Sequence, residues 1–366
     1  MAESIFRSGL TCRARRFWWL KGWTFPLRAG VADSMPMYPL VSILMPAYNA
    51  RRWIREALES ALGQTWPRKE IIVVNDGSTD GTFDIAKSYE SRNVRVLTQA
   101  NRGASAARNA AMGQAQGEYI QWLDADDVLA PDKIARQMSA AASLSPSVLL
   151  SGPWAYFHRN TRRARPHPSP LWADHMPIDW LMLKMGGSLH MQTGTWLTSR
   201  QLMAKAGLFD EGLWRDNDGE FFGRVVAASD SIRFVPGANV YYRQVPYGSI
   251  TDMRNSRKKR DSLFRSMTLQ IEYLRALEDS PRVRAVCVRY LQNWLLEFYP
   301  ERPDLVAKAA RLAEQLGGSL SEPKLSPKYE WMRGLIGLPL AKRLSQKVPR
   351  WHSAAAHLLD RMPLAT

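Results

Sequence analysis

The sequence predicts an α/β protein with a mixed, mainly parallel sheet flanked by helices, followed by a mostly helical C-terminal region. Two observations indicate this fold class. Short apolar runs alternate with amphipathic stretches from Leu40 to Asp127, as in consecutive βαβ units. From Arg257 onward the pattern is mostly helical, with breaks at prolines. Because 45% of the 366 residues are hydrophobic, the chain can bury one large core or two smaller ones.

The first part of the chain contains four predicted strands with helices between them. The strands are VSILMP from Val41, EIIVVN from Glu70, VRVLTQ from Val94 and YIQWL from Tyr119, and the helices span residues 51–62, 82–90 and 103–115. Ligands of parallel sheets bind beyond the carboxyl ends of the strands. The residues that directly follow each strand are therefore the candidate functional residues.

The pattern is less regular after residue 130. Pro131 begins another predicted helix, and residues 148–152 are typical of a strand. Residues 153–180 are rich in Pro, His, Arg and Trp without a sustained period, which predicts a long functional loop. The later predicted elements are helices at 200–206 and near 220–228, strands at 232–235 and 240–243, and C-terminal helices interrupted at Pro281, Pro300, Pro323 and Pro339.

The formal charge of +16 is concentrated in three segments. These are residues 1–40, 254–265 and 331–366, which together carry +14. The rest of the chain, including residues 41–253, is close to neutral. This distribution disfavours a uniformly basic nucleic-acid-binding protein, so we expect no nucleic-acid partner.

Several features bear on the location of the protein. No apolar run reaches the ~18 residues that a membrane-spanning helix needs. The chain has two cysteines, Cys12 and Cys287, which is too few for a disulfide framework. We therefore expect a cytoplasmic protein. Residues 1–38 form a basic, aromatic extension that is either a membrane-interface anchor or disordered. Residues 334–348 mix apolar and basic residues at helical spacing. This tail either lies on an anionic membrane, as a peripheral contact, or packs against the main body.

Two strand ends carry residues suited to a nucleoside. In the PAYN segment, Pro46 precedes Tyr48, a ring for stacking, and Asn49, an amide for hydrogen bonding; the alternative is a turn in which Asn49 caps the next helix. Asp76 follows the second strand and could accept an N–H from a uracil or guanine edge. Because Asp80 can cap the next helix, Asp76 is left for another role.

Two further clusters suit phosphate and a metal ion. Gly103 begins a helix that carries Arg108, and both helix N-termini and guanidinium groups bind phosphate, although a small-residue helix packed on the sheet is equally consistent. Asp124, Asp126 and Asp127 follow a buried strand, where their charges repel unless a cation or hydrogen bonds intervene. A hard divalent ion, Mg²⁺ or Mn²⁺, is the natural partner. The structural alternative is an acidic helix-capping turn.

Taken together, the motifs PAYN, NDGSTDGT, NxGxxxARN and LDADD resemble glycosyltransferase family 2, clearly over residues 40–131 and more loosely to residue 243. The resemblance implies a GT-A fold with a Rossmann-like sheet. It implies that the counterparts of Tyr48, Asn49 and Asp76 hold the nucleoside. In the DXD triplet, which is Asp124, Ala125 and Asp126 here, it places Asp124 at the ribose and Asp126 at the divalent cation.

The resemblance also implies a general base after the GLFDE segment, residues 207–211. Alignment on the helix that follows puts Asn217 where the family often has Glu and Asp218 at the position of the base. Asp216 and Glu220 are competitors, and a solvated acidic turn is the structural alternative. His190 could contact diphosphate or acceptor or be a structural residue. The basic run 254–260 could close over the diphosphate or be a solvated helix face.

The implied function is inverting sugar transfer from a nucleoside-diphosphate sugar, a UDP-sugar above all, to a glycan or lipid-linked acceptor. The implied domains are the extension 1–38, a GT-A domain 39–250 and a helical basic region 251–366. The nucleotide-binding half of the GT-A domain spans 39–130, and the acceptor half spans 131–250. Two alternatives remain at this point: a catalytically silent nucleotide-binding protein, suggested by Asn217, and a membrane-surface or nucleic-acid-binding protein that uses its basic ends.

Overall fold

The computed structural model describes residues 38–244 and 256–345. Nearly all of the predicted N-terminal extension 1–38, the start of the basic run 254–260 and the end of the tail 334–348 lie outside the described residues.

The strands are β1 Val41–Ala47, β2 Lys69–Asp76, β3 Val94–Gln99, β4 Tyr119–Trp122, β5 Val128–Leu129, β6 Val148–Ser151, β7 Trp154–Phe157, β8 Arg165–Pro166, β9 Leu197–Ser199, β10 Ser231–Phe234 and β11 Val240–Arg243. The α-helices are α1 Ile54–Leu62, α2 Thr82–Lys87, α3 Ala104–Gln114, α4 Lys133–Ala141, α5 Pro177–Gly187, α6 Arg200–Ala206, α7 Asn217–Ala228, α8 Arg257–Leu277, α9 Pro281–Phe298, α10 Pro303–Gln315 and α11 Pro327–Ser345.

The main sheet has seven strands in the order β10-β6-β9-β4-β1-β2-β3. Strands β4, β1, β2 and β3 are mutually parallel, β10 is parallel to β6, and β9 runs antiparallel to both β4 and β6. The predicted mixed, mainly parallel sheet is therefore confirmed. The apolar runs of β1 and β2 lack alternation because helices cover both faces of a parallel sheet, and six of the seven β1 residues are buried.

The predicted loop over residues 153–180 is wrong. This segment contains β7 and β8, a 3₁₀ turn at Thr161–Arg163 and the start of α5. β7 pairs with β8 and with β11, and β11 also pairs with β5, which gives a second sheet of four strands. A four-residue strand shows no period of its own in the sequence. Its partner β11 lies about 85 residues away, so only the tertiary structure reveals the pairing.

The remaining helices follow the sequence pattern with local differences. α6 begins and ends at the predicted residues, whereas α2 ends three residues early and α7 begins at Asn217. Pro281 opens α9, in the first turn where proline is tolerated. The predicted break at Pro339 is confirmed: Gly337, two residues before it, has non-helical backbone angles (φ of 72°), so α11 consists of two helical pieces joined by a kink.

The C-terminal helices share the core of the α/β part. One continuous set of buried side chains runs from Val41 in β1 to Leu316 after α10, with α8 packed on α7 and α9 packed on α5. No helix in the described ranges has the length and apolarity needed to span a membrane.

One side chain in this core is a fully buried lysine. Lys133 on α4 donates a hydrogen bond from Nζ to the Gln121 side chain on β4, and burial lowers its pKa well below the ordinary value. Because the unfolded chain then binds more protons than the native state, the free energy of unfolding should rise with pH below the ordinary lysine pKa of ~10.4. The slope should reach up to about 1.4 kcal/mol per pH unit.

We therefore predict that Lys133→Met removes this pH dependence between about pH 7 and pH 9. Urea unfolding at several pH values measures it. Lys308→Met, on the exposed face of α10, is the matched control and should keep the wild-type slope. An unchanged slope in Lys133→Met would contradict the prediction.

Candidate active site

The carboxyl ends of β4, β1 and β2 bring three predicted site residues to one edge of the sheet. β1 lies between β4 and β2, with Leu44 opposite Trp122 and Ala47 opposite Asn75. Neighbouring strands are ~4.8 Å apart. Tyr48 directly follows β1, Asp76 is the last residue of β2, and Asp124 lies two residues after the end of β4. The three residues therefore lie side by side along this edge.

The loop after β1 is joined to the loop after β2 through Asn49. Its Oδ1 accepts a hydrogen bond from Thr79 N at 2.9 Å, and its own N–H donates to Ser78 Oγ at 3.0 Å. Asn49 therefore does not cap α1. Tyr48 beside it is 54% exposed, so its ring is available to a ligand.

The sequence predicts that Pro46 ends a strand and that Asp80 caps a helix. Pro46 does not end the strand, because β1 continues to Ala47 and Pro46 is paired with Val74. Asp80 accepts from Thr82 N at 3.1 Å at the start of α2, and also from Arg51 N at 3.1 Å. It thus stabilises both the helix start and the neighbouring loop.

Asp76 is buried and organises the start of α3. Its carboxylate accepts hydrogen bonds from Gln99 Nε2 at 2.8 Å, Arg102 N at 2.9 Å and Gly103 N at 2.8 Å. Gly103 has φ of 91°, a conformation that favours glycine. The indole of Trp214 lies 3.7 Å from the position that a Cβ on Gly103 would occupy, so Trp214 lies over this edge as well.

Arg108 pairs with a carboxylate. Its Nη2 lies 2.9 Å from Asp124 Oδ1, and the guanidinium lies over the ring of Phe209. The side chain is 7% exposed, and its Nε and Nη1 have no acceptor among the described residues. Arg108 is thus a buried positive charge beside Asp124, and within the described residues its Nε and Nη1 remain available to donate hydrogen bonds.

In the residues Asp124–Asp127, which we call the acidic turn, the carboxylates differ in their burial and in their hydrogen-bond partners. Asp127 is fully buried and accepts from Arg243 N at 2.9 Å and from the Gln192 amide. The carboxylate of Asp126 has no hydrogen-bond partner in the described part of the chain. Burial, and then the charge of Asp124, raise the pKa of Asp126 to about 6. Ala125, between them, is buried.

Arg243 at the end of β11 supports the acidic turn. Its Nε donates to the Asp126 carbonyl at 2.7 Å and its Nη1 to the His158 carbonyl at 2.8 Å, while Nη2 pairs with Glu56. The guanidinium lies between the rings of Trp53 and Phe157, 4.4 and 4.2 Å from their centroids. Sequence reasoning missed Arg243 and Gln192, because neither belongs to a motif and both act through contacts more than 60 residues away.

The three acidic candidates at the start of α7 also differ. Asp216 accepts from Ser266 Oγ at 2.6 Å and Gln270 Nε2 at 2.8 Å. Glu220 accepts from Arg224 Nε at 2.9 Å and Tyr273 Oη at 2.6 Å. The Asp218 carboxylate has no hydrogen-bond partner within residues 38–244 and 256–345. Of these three, Asp218 is the one left available to a substrate.

The Tyr242 phenol is affected by the charges of both the acidic turn and Asp218. Burial raises the pKa of this phenol, and the negative charges of the acidic turn and of Asp218 raise it further. His190 is also near Asp218: burial lowers the pKa of the imidazole, and the charge of Asp218 partly opposes this. The ring of His190 packs 5.0 Å from that of Trp154, and His190 and Asp218 line one pocket.

The described residues contain no group of three or more His, Cys, Asp and Glu side chains arranged to hold a metal ion. The acidic turn nevertheless fits a cation that takes most of its ligands from a substrate. Asp126 is a desolvated carboxylate without a partner, and Mg²⁺ is often held by one or two carboxylates together with substrate phosphates.

The fold is of the GT-A type, with its candidate residues at the carboxyl edge of the sheet. Residues 42–206 match the family model described as Glycosyl transferase family 2. Over this segment the chain is therefore similar to glycosyltransferase family 2.

Related chains agree with this assignment. TuaG of Bacillus subtilis (strain 168), named as a glycosyltransferase of teichuronic acid biosynthesis, is 46% identical over 117 residues, which are 31% of this chain and 46% of that protein. The uncharacterized glycosyltransferase EpsJ of the same organism is 31% identical over 225 residues, 59% of this chain and 64% of that one. The chain thus spans less than two thirds of the length of these curated relatives.

Solved structures share the fold. TarS 1-349 of S. aureus in complex with UDP-GlcNAc matches with a TM-score of 0.62 and 19% identity over 75% of this chain and 81% of that one. The complex of the same protein with UDP gives a TM-score of 0.59 and 19% identity, over 75% and 80%.

The raised pKa of Asp126 leads to a stability prediction. An aspartate whose native pKa is about 6 binds more protons in the native than in the unfolded state between about pH 4 and pH 6. Its ionisation therefore costs stability as the pH rises through this range, by about 1–3 kcal/mol.

We predict that Asp126→Asn increases the free energy of unfolding above pH ~6 in the presence of EDTA and has little effect near pH ~4. Urea unfolding at the two pH values measures the difference. The exposed Asp84→Asn on α2 is the control and should change neither value. If Asp126→Asn were no more stable than wild type at the higher pH, ionisation of Asp126 would not destabilise the folded state and the prediction would be wrong.

Proposed function

We propose that the protein transfers a sugar from a UDP-sugar to a hydroxyl group of a glycan or lipid-linked acceptor, with inversion at the anomeric carbon. One observation carries this proposal: within the described part of the chain, neither the Asp126 nor the Asp218 carboxylate has a hydrogen-bond partner, whereas Asp127, Asp216 and Glu220 do. The names of the relatives and the nucleotides in the TarS structures are consistent with it.

The donor would bind along the edge formed by β4, β1 and β2. The exposed ring of Tyr48 suits stacking on the base, and Asn49 holds the adjoining loops together. A carboxylate offers about four lone-pair sites, so Asp76 keeps acceptor capacity for a base N–H beyond its three observed bonds. Asp124 would face the ribose.

The diphosphate would lie between the acidic turn and the N-terminus of α3, which begins after Gly103. A divalent cation, Mg²⁺ or Mn²⁺, held by Asp126 would neutralise the charge that develops on the departing diphosphate. Arg108, buried beside Asp124, adds a fixed positive charge on the same side.

Asp218 would act as the general base. The acceptor oxygen attacks the anomeric carbon from the face opposite the diphosphate, its proton passes to the Asp218 carboxylate, and the bond from carbon to diphosphate oxygen breaks. A single displacement of this kind inverts the anomeric centre. General-base assistance contributes about 10²–10⁴-fold to the rate.

The environment of Asn217 favours catalysis over a silent nucleotide-binding protein. Its Nδ2 donates to Ser105 Oγ on α3 at 2.9 Å, and its Oδ1 accepts from Asp218 N at 2.9 Å. Asn217 therefore positions the residue proposed as base, and the absence of an acid at position 217 does not leave the site without a carboxylate.

We predict that Asp218→Asn lowers the transfer rate by about 10²–10⁴-fold, because the amide cannot accept the proton, while UDP affinity stays unchanged. Transfer is measured as UDP release from a panel of UDP-sugars with acceptor present, and affinity by calorimetry. Glu220→Gln is the matched control and should lose stability through Arg224 and Tyr273 without a comparable loss of turnover in the folded fraction. Unchanged transfer by Asp218→Asn would remove the base assignment.

We also propose that α11 contacts an anionic membrane. One side of the helix packs on the main body through Leu338 and Ala341, and Lys342 Nζ pairs with Glu301 at 2.7 Å. Away from these contacts, the pieces of α11 before and after the Gly337 kink expose large apolar side chains, which we together call the α11 stripe. They are Trp331 (66% exposed), Leu335 (76%), Ile336 (37%), Leu340 (53%) and Leu344 (43%).

The charge near the α11 stripe supports an anionic membrane as the partner. Lys324, Lys328 and Arg343 are exposed near the α11 stripe, and residues 331–366 carry a net charge of +5. Apolar side chains beside basic ones are typical of a helix at the surface of an anionic bilayer. Such a contact would place the site near a lipid-linked acceptor.

We predict that the double variant Trp331→Ser/Leu335→Ser weakens binding to phosphatidylglycerol-containing vesicles by at least about tenfold. Sedimentation with vesicles that contain or lack phosphatidylglycerol measures it. Leu277→Ser, an exposed leucine at the end of α8, is the control. Wild-type binding that is absent, or that is unaffected by the double variant, would refute the membrane contact; a shift from dimer to monomer instead would assign the stripe to self-association.

A further inference from the structure

A pocket of about 210 Å³ lies beside Asp218, lined by residues of α5, α7, α9 and the segment before β9. Ser188 and His190 are the exposed members of the lining, so they mark its open side. Five further members are partly exposed: Leu189, Asp216, Asp218, Gly219 and Trp294. Tyr290 and Trp294 come from α9, which lies outside the segment 42–206 that matches the family. The family-matched segment alone therefore does not complete this pocket.

The walls of the pocket are aromatic and firmly packed. Trp196 and Trp180 are almost completely buried, with ring centroids 5.5 Å apart. Phe222 stacks on Trp196 at 5.4 Å with an interplanar angle of 22°. Trp294 is held from the other side by the guanidinium of Arg215, 5.9 Å from its centroid. Such flat, fixed surfaces suit the apolar face of a ring-shaped ligand.

Three residues of the lining carry indole N–H groups without acceptors. Within the described ranges, six buried indole N–H groups have no acceptor, and those of Trp180, Trp196 and Trp294 belong to residues of this lining. Because these nitrogen atoms are themselves buried, a ligand in the pocket would reach them only if the indole side chains shifted.

The charged groups exclude an anionic ligand. Among the described residues Asp218 has no hydrogen-bond partner for its carboxylate, and Asp216 adds a second negative charge at the same wall. The Nζ of Lys184 is already engaged by the Gly219 carbonyl at 3.1 Å and by the Gln270 side chain. The ligand that fits here is neutral, donates a hydroxyl to Asp218 and has an apolar face.

The size of the pocket limits what it can hold. Sites for drug-sized ligands measure ~300–1,000 Å³, so about 210 Å³ leaves room for a single ring. A neutral sugar ring meets every requirement, since it has one apolar face and a rim of hydroxyl groups that both donate and accept.

We propose that this pocket binds the terminal, neutral sugar ring of the acceptor, and that Trp294 and Tyr290 of α9 determine acceptor specificity. The proposal rests on the function proposed above, because it places the acceptor hydroxyl at Asp218. It assigns to the C-terminal helical region a direct part in substrate recognition, in addition to its packing on α5 and α7.

The test uses methyl glycosides of neutral hexoses and N-acetylhexosamines as probes of the full-length chain, by saturation-transfer difference NMR. Wild type should bind at least one of them. Trp294→Leu should lose about tenfold or more in affinity, because it removes the ring surface. Trp294→Phe should lose less, because it keeps a ring.

Trp172→Leu is the matched control. Its indole N–H also has no acceptor in the described part of the chain, but Trp172 stacks on Phe234 and does not line the pocket. It should bind the glycosides as wild type does. Thermal unfolding of each variant confirms that it folds, and calorimetry with UDP should give the wild-type affinity for all of them.

The outcomes separate this proposal from the function it rests on. Failure of every glycoside to bind wild type, or equal binding by Trp294→Leu and wild type, overturns the pocket assignment while leaving UDP binding intact. Absence of UDP binding by wild type, with glycoside binding still sensitive to Trp294, overturns the proposed use of a UDP-sugar but supports the sugar pocket.

Discussion

The arrangement of the site depends on the buried Arg243. Its backbone N–H holds the carboxylate of Asp127, its Nε holds the carbonyl of Asp126, and its two Nη atoms reach His158 and Glu56. The side chain is 1% exposed, so these contacts join the acidic turn to β7, β11 and α1 without competition from water. A buried charge is stable only when it is paired and hydrogen-bonded. Arg243 supplies that pairing, while the Asp126 carboxylate has no hydrogen-bond partner in residues 38–244 and 256–345.

A second constraint lies at the start of α7. Asp216, with φ of 56°, turns its carboxylate toward Ser266 and Gln270 of α8. Gly219 is required here, since a Cβ at that position would lie 2.0 Å from Asp216 Oδ1. The first turn of α7 is thereby fixed against α8, and Lys184 of α5 binds the Gly219 carbonyl. The C-terminal helices therefore help to hold the turn that carries Asp218.

The parts of the fold that follow from local patterns could be predicted. Buried strands β1 to β4 and the helices between them are each long enough, or bounded clearly enough by glycine and aspartate turns, to show in the sequence. The short strands β7 and β8 could not be predicted, because tertiary pairing and not local preference makes them strands: β7 pairs with β11 and β8 pairs with β7. At the site, Tyr48, Asp76 and the acidic turn were identifiable from motifs. Arg243, Gln192 and the α9 aromatics were not, because each acts at long range in the chain.

By itself the sequence determined which residues stand after each parallel strand and hence which edge of the sheet carries the candidate site. The succession of strands and helices along the chain follows from local sequence patterns. The motif residues lie within about 90 positions of one another. The tertiary structure alone decided which carboxylates are free. Asp127, Asp216 and Glu220 look equivalent to Asp126 and Asp218 in sequence. Their hydrogen-bond donors come from β11, α8 and the segment before β9, and only the folded chain brings those donors within bonding distance.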